Sequence, residues 1–252
     1  PIAFPSGLGL EAAGVVEAVG EGVTLGVGSR VGYCWGPIGA YATHRNIAAA
    51  MLVPLPDGVS DEMAAAGLLK GCTTEFLVER CAKVRPGDWA LVPAAAGGVG
   101  LLLVQWLKLA GVTVIAVAGT PQKLALAAAH GADHGVLDGS DVAAQVRALT
   151  GGRGVDVVFD PVGGDMFMHS LRCTAPEGKI LVIGFAGGDQ QMIPANLLLV
   201  KNIDVIGFFF GLYIGWGAAD ERKRYAPRFS RLSVFAVSSR QHYCCTFDYV
   251  CS

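Results

Sequence analysis

The sequence predicts an α/β protein, a doubly wound parallel sheet preceded by a small antiparallel β module. Three observations predict it. From Trp89 onward, apolar runs of strand length alternate with helical stretches at a steady interval, the pattern of parallel strands joined by right-handed crossovers. The composition agrees: 52% of the 252 residues are hydrophobic and only 16% charged, which suits strands covered on both faces. Before residue 60 the rhythm differs, with short β-rich runs punctuated by Gly and Pro.

In chain order, that first part offers strands at Val15–Val19, Arg30–Tyr33 and Ala40–Thr43. Ser60 precedes Asp61-Glu62 as an N-cap, opening a helix through Lys70, and a second helix is expected from about Thr73 to Ala82. The turn Arg85-Pro86-Gly87-Asp88 then introduces six strands: Trp89–Ala94, Val112–Ala118, His134–Leu137, Val155–Phe159, Lys179–Ile183 and Ile203–Phe209. The helix from Gly98 to Ala110 is apolar nearly all round, so it must pack on the sheet. The expected organisation is a β domain over residues 1–72, the parallel-sheet domain over 73–212, and a tail over 213–252 that shows no period from about Phe229.

One turn carries chemistry. After the first parallel strand, Ala95-Ala96-Gly97-Gly98-Val99-Gly100 fits the G-x-G-x-x-G spacing with Ala95 in the first position, and a helix follows at once. Strand, glycine turn, helix and next strand in this order make the dinucleotide-binding fingerprint of the Rossmann fold. Gly97 lets backbone approach a pyrophosphate, Gly100 lets helix and strand pack closely, and the helix's first amides, on Gly98 and Val99, face the anion. The competing reading is a tight turn without a ligand. A site for NAD wants a carboxylate at the end of the second strand, but here the chain reads Gly119-Thr120-Pro121-Gln122-Lys123. Thr120 caps the next helix and Lys123 lies in its first turn, where a cation opposes the helix dipole unless an anion sits between them. The 2′-phosphate of NADP supplies that anion; a solvated surface lysine is the plain alternative.

Other classes are disfavoured. A net charge of −2 offers no basic field for nucleic acid, and Arg222-Lys223-Arg224 reads as a solvated helical face. The charge-free run from Val205 to Ala219 falls short of the about 18 residues that span a membrane. Seven scattered cysteines without a C-x-x-C pair argue for reduced thiols, a cytoplasmic setting and no structural zinc. No basic leader is visible, and no G-x-S-x-G elbow supports hydrolysis.

With these residues in hand, the chain from Leu8 to about Gly211 resembles the medium-chain dehydrogenase/reductase superfamily, and within it the zinc-free quinone oxidoreductases related to zeta-crystallin. The segments that carry the resemblance are Gly9-Leu10-Glu11-Ala12-Ala13-Gly14, Gly39-Ala40-Tyr41-Ala42, Gly71-Cys72-Thr73-Thr74, the glycine turn, Gly119 to Lys123, Asp160-Pro161-Val162-Gly163 and Ile183-Gly184-Phe185. The resemblance implies that the first module is a partial GroES-like domain. It implies that Thr73, Gly184 and Phe185 line the nicotinamide side of the site and that Phe209 closes over it. Thr73 read on propensity alone is equally a helix cap, and Asp160 equally caps the turn at Gly163, so Asp160 receives no catalytic role.

Zinc enzymes of this superfamily have a histidine where this chain has Leu10, and a four-cysteine lobe that this chain lacks. No metal is therefore expected, and His44, His130, His134 and His169 read most simply as surface or turn residues. Ser29 and Asp138 depart from the family pattern, which has an acid and often a tyrosine there, and the chain resembles a family member shortened at both ends. The implied activity is hydride transfer from NADPH to a quinone, with an enone or enoyl thioester as the alternative acceptor and cofactor binding without turnover as the rival. No side chain is required as acid or base. A homodimer is implied through the stretch Pro194 to Lys201, where related enzymes join their sheets edge to edge.

Overall fold

The structure, a computed structural model of the chain, describes residues 6–139, 141–188 and 192–212. The chain divides into two compact units, with the break between Cys72 and Thr73 and the second unit ending at Phe209. In the first, β1 (Glu11–Val15), β2 (Arg30–Cys34) and β3 (Val53–Pro54) form an antiparallel sheet in that order. Helix α1 (Asp61–Glu75) follows, and its start is capped as its sequence predicts, the Met63 amide donating to Ser60 Oγ at 3.2 Å. Arg30 ties β2 to this helix, donating to Asp61 Oδ1 at 2.6 and 3.0 Å and to the Val59 carbonyl at 2.6 Å. Glu11 does the same from β1, accepting from the Leu69 amide and from Lys70 Nζ, both at 2.9 Å.

The second unit is a parallel sheet of β4 (Trp89–Val92), β5 (Thr113–Ala118), β6 (His134–Leu137), β7 (Val155–Asp160), β8 (Thr174–Val182) and β9 (Asp204–Gly207). Among the described residues its order is β6-β5-β4-β7-β8-β9, every pair parallel. Helices α2 (Gly98–Leu109), α3 (Pro121–Ala129), α4 (Val142–Leu149), α5 (Gly164–Cys173) and α6 (Ala195–Lys201) alternate with the strands. The order reverses at β4, which has β5 on one side and β7 on the other. That is the switch point of a doubly wound sheet, where diverging loops leave a crevice beyond the carboxyl ends of the strands. Leu91, Ile115, Val158, Phe167, Leu171 and Ile180 are fully buried in the core beneath it.

β4 and β7 share a short ladder, Ala90 with Val157 and Leu91 with Val158, and Asp156 lengthens it. Its carboxylate accepts from the Trp89 amide at 2.8 Å and from both Arg153 guanidinium nitrogens at 2.7 Å. Burial works against the charge, but the Arg153 and Trp89 hydrogen bonds outweigh it and hold the carboxyl below its ordinary range. A depressed carboxyl stabilises the fold above its unfolded pKa of about 4 and loses that contribution as pH falls through the depressed value. Arg153→Gln is therefore expected to cost about 1 kcal/mol at neutral pH. In denaturant titrations the difference from wild type should disappear in strong acid, and a gap that persists there would contradict this account.

Several expectations are corrected. The first strand is β1, at Glu11–Val15 rather than Val15–Val19, because pairing with β2 runs from Glu11 opposite Cys34 to Val15 opposite Arg30. Ala40–Thr43 is a bend, not a strand, the Ala40 and Tyr41 amides taken by the Gly9 and Leu8 carbonyls after positive-φ residues Gly36 and Gly39. The two expected helices are one: α1 runs through Gly71 and continues as a π-helical segment, Phe76–Ala82, closed by Lys83 in the left-handed region. Glu75 and Arg80 approach to 3.6 Å across that wider turn, and Lys179 Nζ donates to the terminal Ala82 carbonyl at 3.0 Å. In the stretch Pro194 to Lys201, Pro194 caps α6 and Ala195–Lys201 is helix, not a sheet edge. The tail over 213–252, with Arg222-Lys223-Arg224 and three of the cysteines, lies outside the described residues, as does the end of the Val205–Ala219 run. Among the described residues no helix is long and apolar enough to cross a membrane.

Candidate dinucleotide-binding site

The glycine turn lies at the switch point, as its spacing predicts. β4 ends at Val92, and the chain reverses through Ala94, whose φ of 51° is left-handed. The Ala95 amide donates to the Val117 carbonyl of β5 at 3.0 Å, and the Gly97 amide returns to the Ala94 carbonyl at 2.9 Å, which closes the turn. Gly97 is then the N-cap of α2, with no side chain over it. The amides of Gly98, Val99 and Gly100 take no backbone or side-chain partner among the described residues, so the first turn of α2 leaves three donors unsatisfied at the positive end of a helix dipole. Space presses on both glycines of the turn, moderately at Gly97 and strictly at Gly100. A Cβ on Gly97 would stand 3.1 Å from the Ala94 carbonyl oxygen, and one on Gly100 would stand 2.8 Å from two Ala95 backbone atoms and closer still to that oxygen.

β5 ends next door. Thr120 Oγ1 accepts from the Lys123 amide at 3.2 Å and Pro121 opens α3, so the expected cap forms. Gly119, Thr120 and Lys123 are all exposed, and a Cβ on Gly119 would meet nothing within 4 Å. This turn can receive a group from outside, and its one cation is Lys123. A backbone cradle that a side chain would fill, three unpartnered amides and an exposed lysine one strand away fit a dinucleotide with a phosphorylated ribose.

On the other side of the switch point, Asp160 ends β7 and is 1% exposed. Its Oδ1 accepts from the Val162 and Gly163 amides, both at 2.9 Å, and its Oδ2 accepts from Ser170 Oγ at 3.0 Å. The capping role is thus the one the geometry supports. The turn so formed holds the next loop: the Ala186 and Gly187 amides donate to the Pro161 and Val162 carbonyls at 3.0 and 2.8 Å. Gly184 and Phe185 sit in that loop just past β8, with Phe185 54% exposed, and Phe209 follows β9 at 57%. Two exposed aromatic rings on the same sheet edge form an apolar counterpart to the charged end at Lys123.

Thr73 comes from a different element, α1. It is buried in the last turn of α1, so it is neither a helix cap nor a strand-end residue. Two histidines expected at the surface are in the fold: His134 begins β6 and stacks on Trp89 at 5.5 Å, and His169 lies half-buried in α5. Among the described residues no three His, Cys, Asp or Glu side chains are placed to hold a metal ion. Burial pushes the Cys173 thiol up to about 12 and the Cys81 thiol upward as well, so neither is a nucleophile at neutral pH. The left-handed Ala94 and the π-helical segment had no sequence signal, since alanine does not advertise positive φ and π turns lack a residue pattern.

The chain matches known families over both units. Residues 1–57 match the alcohol dehydrogenase GroES-like domain and residues 98–228 the zinc-binding dehydrogenase family. It is 47% identical over 201 residues to a quinone oxidoreductase of Pseudomonas aeruginosa, covering 79% of this chain and 62% of that protein. It is 40% identical over 210 residues to a 2-haloacrylate reductase of a Burkholderia species, covering 82% and 62%. The fold superimposes on Escherichia coli quinone oxidoreductase complexed with NADPH with a TM-score of 0.84 at 35% identity, covering 94% of this chain and 73% of that one. The chain therefore spans 62% of the length of the first curated relatives it matches.

Proposed function

Because the chain belongs to the quinone oxidoreductase branch of the medium-chain dehydrogenase/reductase superfamily, we propose that it binds NADPH and reduces a small electron-poor acceptor, a quinone first of all. The observation that carries the reading is the convergence at one sheet edge of three unpartnered amides at the start of α2 with Lys123 at the start of α3. In this reading Gly97 to Gly100 hold the diphosphate, with Gly119, Thr120 and Lys123 around the phosphorylated ribose. Thr73, Gly184, Phe185 and Phe209 border the nicotinamide. When bound, NADPH supplies the hydride its nicotinamide carries at C4. The chain contributes orientation, and the rings of Phe185 and Phe209 keep water from the reacting face.

No side chain is assigned as acid or base. A quinone accepts charge on its own carbonyls and takes its protons from solvent. The reaction is proposed to proceed without zinc, supported by Leu10, which has no lone pair to offer a metal, at the position discussed above. An enone or acrylate is the second acceptor class, favoured by the likeness to a 2-haloacrylate reductase. A homodimer belongs to the same reading, supported by Leu199 and Val200, both exposed on α6.

Stopped-flow oxidation of NADPH against a panel of small quinones and enones tests the reading, with consumption by at least one class expected. Binding without turnover of any acceptor would leave a dinucleotide-binding protein in its place. Lys123→Ala is expected to raise the dissociation constant for NADPH about tenfold, the loss of one charge-assisted contact, and that for NADH far less. Equal effects on the two cofactors would remove Lys123 from the phosphate site.

A further inference from the structure

The strand register brings a carboxylate to the place where the proposed site needs positive charge. β5 and β6 are parallel partners with Ala118 opposite Leu137, and the Asp138 amide donates to the Ala118 carbonyl at 3.0 Å. Asp138 therefore stands level with Gly119, about 4.8 Å away across the sheet edge, the spacing of neighbouring strands. The residue is exposed. Asp141, three residues further on, has Oδ1 occupied by Gln145 Nε2 at 2.8 Å and adds a second negative charge to the same loop. Against these two acids the turn from Gly119 sets one cation, Lys123.

We infer that Asp138 is a specificity-determining residue that opposes the 2′-phosphate which Lys123 attracts, so that the chain discriminates only weakly between NADPH and NADH. The inference rests on the proposed binding of a phosphorylated dinucleotide at this edge. In water-like surroundings, a single carboxylate held about 8 Å from a doubly charged phosphate would weaken its binding about fivefold. Salt at physiological strength, with a screening length of about 8 Å, removes much of that effect. NADH has no charge at this point and is indifferent to Asp138 to first order. The side chain is exposed and its backbone bond survives substitution, so the carboxylate can be neutralised without disturbing β6.

The test is a fluorescence titration of the full chain with NADPH and with NADH, for wild type, Asp138→Asn and Asp138→Glu, at low salt and at physiological ionic strength. Asp138→Asn should tighten NADPH about fivefold at low salt and less at physiological strength, while NADH moves by less than about twofold. Asp138→Glu, which keeps the charge, should match wild type. Equal shifts for both dinucleotides, or a shift that does not depend on salt, would overturn the inference and leave the site reading standing. A wild-type chain that binds neither dinucleotide would overturn the site reading and this inference together.

Discussion

Gly100→Ala is expected to leave the chain without measurable NADPH binding and to destabilise the parallel-sheet unit by about 3 kcal/mol, the upper end of the cost of overpacking. An added methyl at this position meets backbone, not the yielding end of a side chain. Its nearest neighbours are the Ala94 carbonyl oxygen and two Ala95 backbone atoms, the latter at 2.8 Å. Relief requires α2 to move away from β4, and that motion withdraws the amides of Gly98 and Val99 from the crevice. Alanine's better helix propensity returns only about 1 kcal/mol, so the clash wins. Gly119→Ala is the matched control for stability alone: its methyl enters open space, and a stability change within about 0.5 kcal/mol is expected. Calorimetric melts of the two variants, read beside NADPH titrations, check the pair. A stable, cofactor-binding Gly100→Ala chain would mean that the turn does not need the close approach the structure shows.

The contrast between those two glycines marks how far the sequence could be read. The spacing of Gly97 and Gly100 after an apolar strand and before an apolar helix located the crevice, because both glycines answer to local backbone geometry that pattern reflects directly. Thr120, Pro121 and Lys123 were legible for the same reason, a cap and a first helical turn being written in consecutive residues. What depends on pairing between distant segments was not. The first strand was read four residues late, since only the register opposite Arg30–Cys34 says where it starts. The two helices expected through Lys70 and from about Thr73 are one in the fold. In the fold, Glu11 from β1 binds the Leu69 amide and Lys70 and supports the helix through that region. The position of Asp138 beside Gly119 is likewise a property of the β5–β6 ladder and of nothing adjacent in sequence. The family resemblance names Thr73, Gly184, Phe185 and Phe209; the last three follow β8 and β9 directly in the chain, while Thr73 lies in α1.

Removing the Asp160 carboxylate tests whether it is a structural cap or a reacting group, two roles that a buried acid at a strand end can equally play. Asp160→Ala is expected to destabilise the chain by about 4 kcal/mol, since it strands the buried Gly163 amide and the half-buried Val162 amide at about 1–3 kcal/mol each and leaves a cavity. At about 2–4 °C per kcal/mol for a chain of this size, the melting temperature should fall by roughly 10 °C. Ser170 loses less, because its one proton can turn to the Met166 carbonyl, 3.0 Å away. The function should fall with the fold: the Asp160 turn holds the loop of Gly184 and Phe185 through the Pro161 and Val162 carbonyls, so the aromatic end of the site loosens first. Asp160→Asn separates the roles. Its amide oxygen still accepts from Val162 and Gly163, and its NH2 can donate to the Ser170 oxygen, whose own proton then turns to the Met166 carbonyl. The cap therefore survives without the charge, at a cost within about 1 kcal/mol, and NADPH oxidation by the wild type's best acceptor should persist in this variant. An Asp160→Asn chain that melts like wild type but no longer turns over would convert the cap into a catalytic residue.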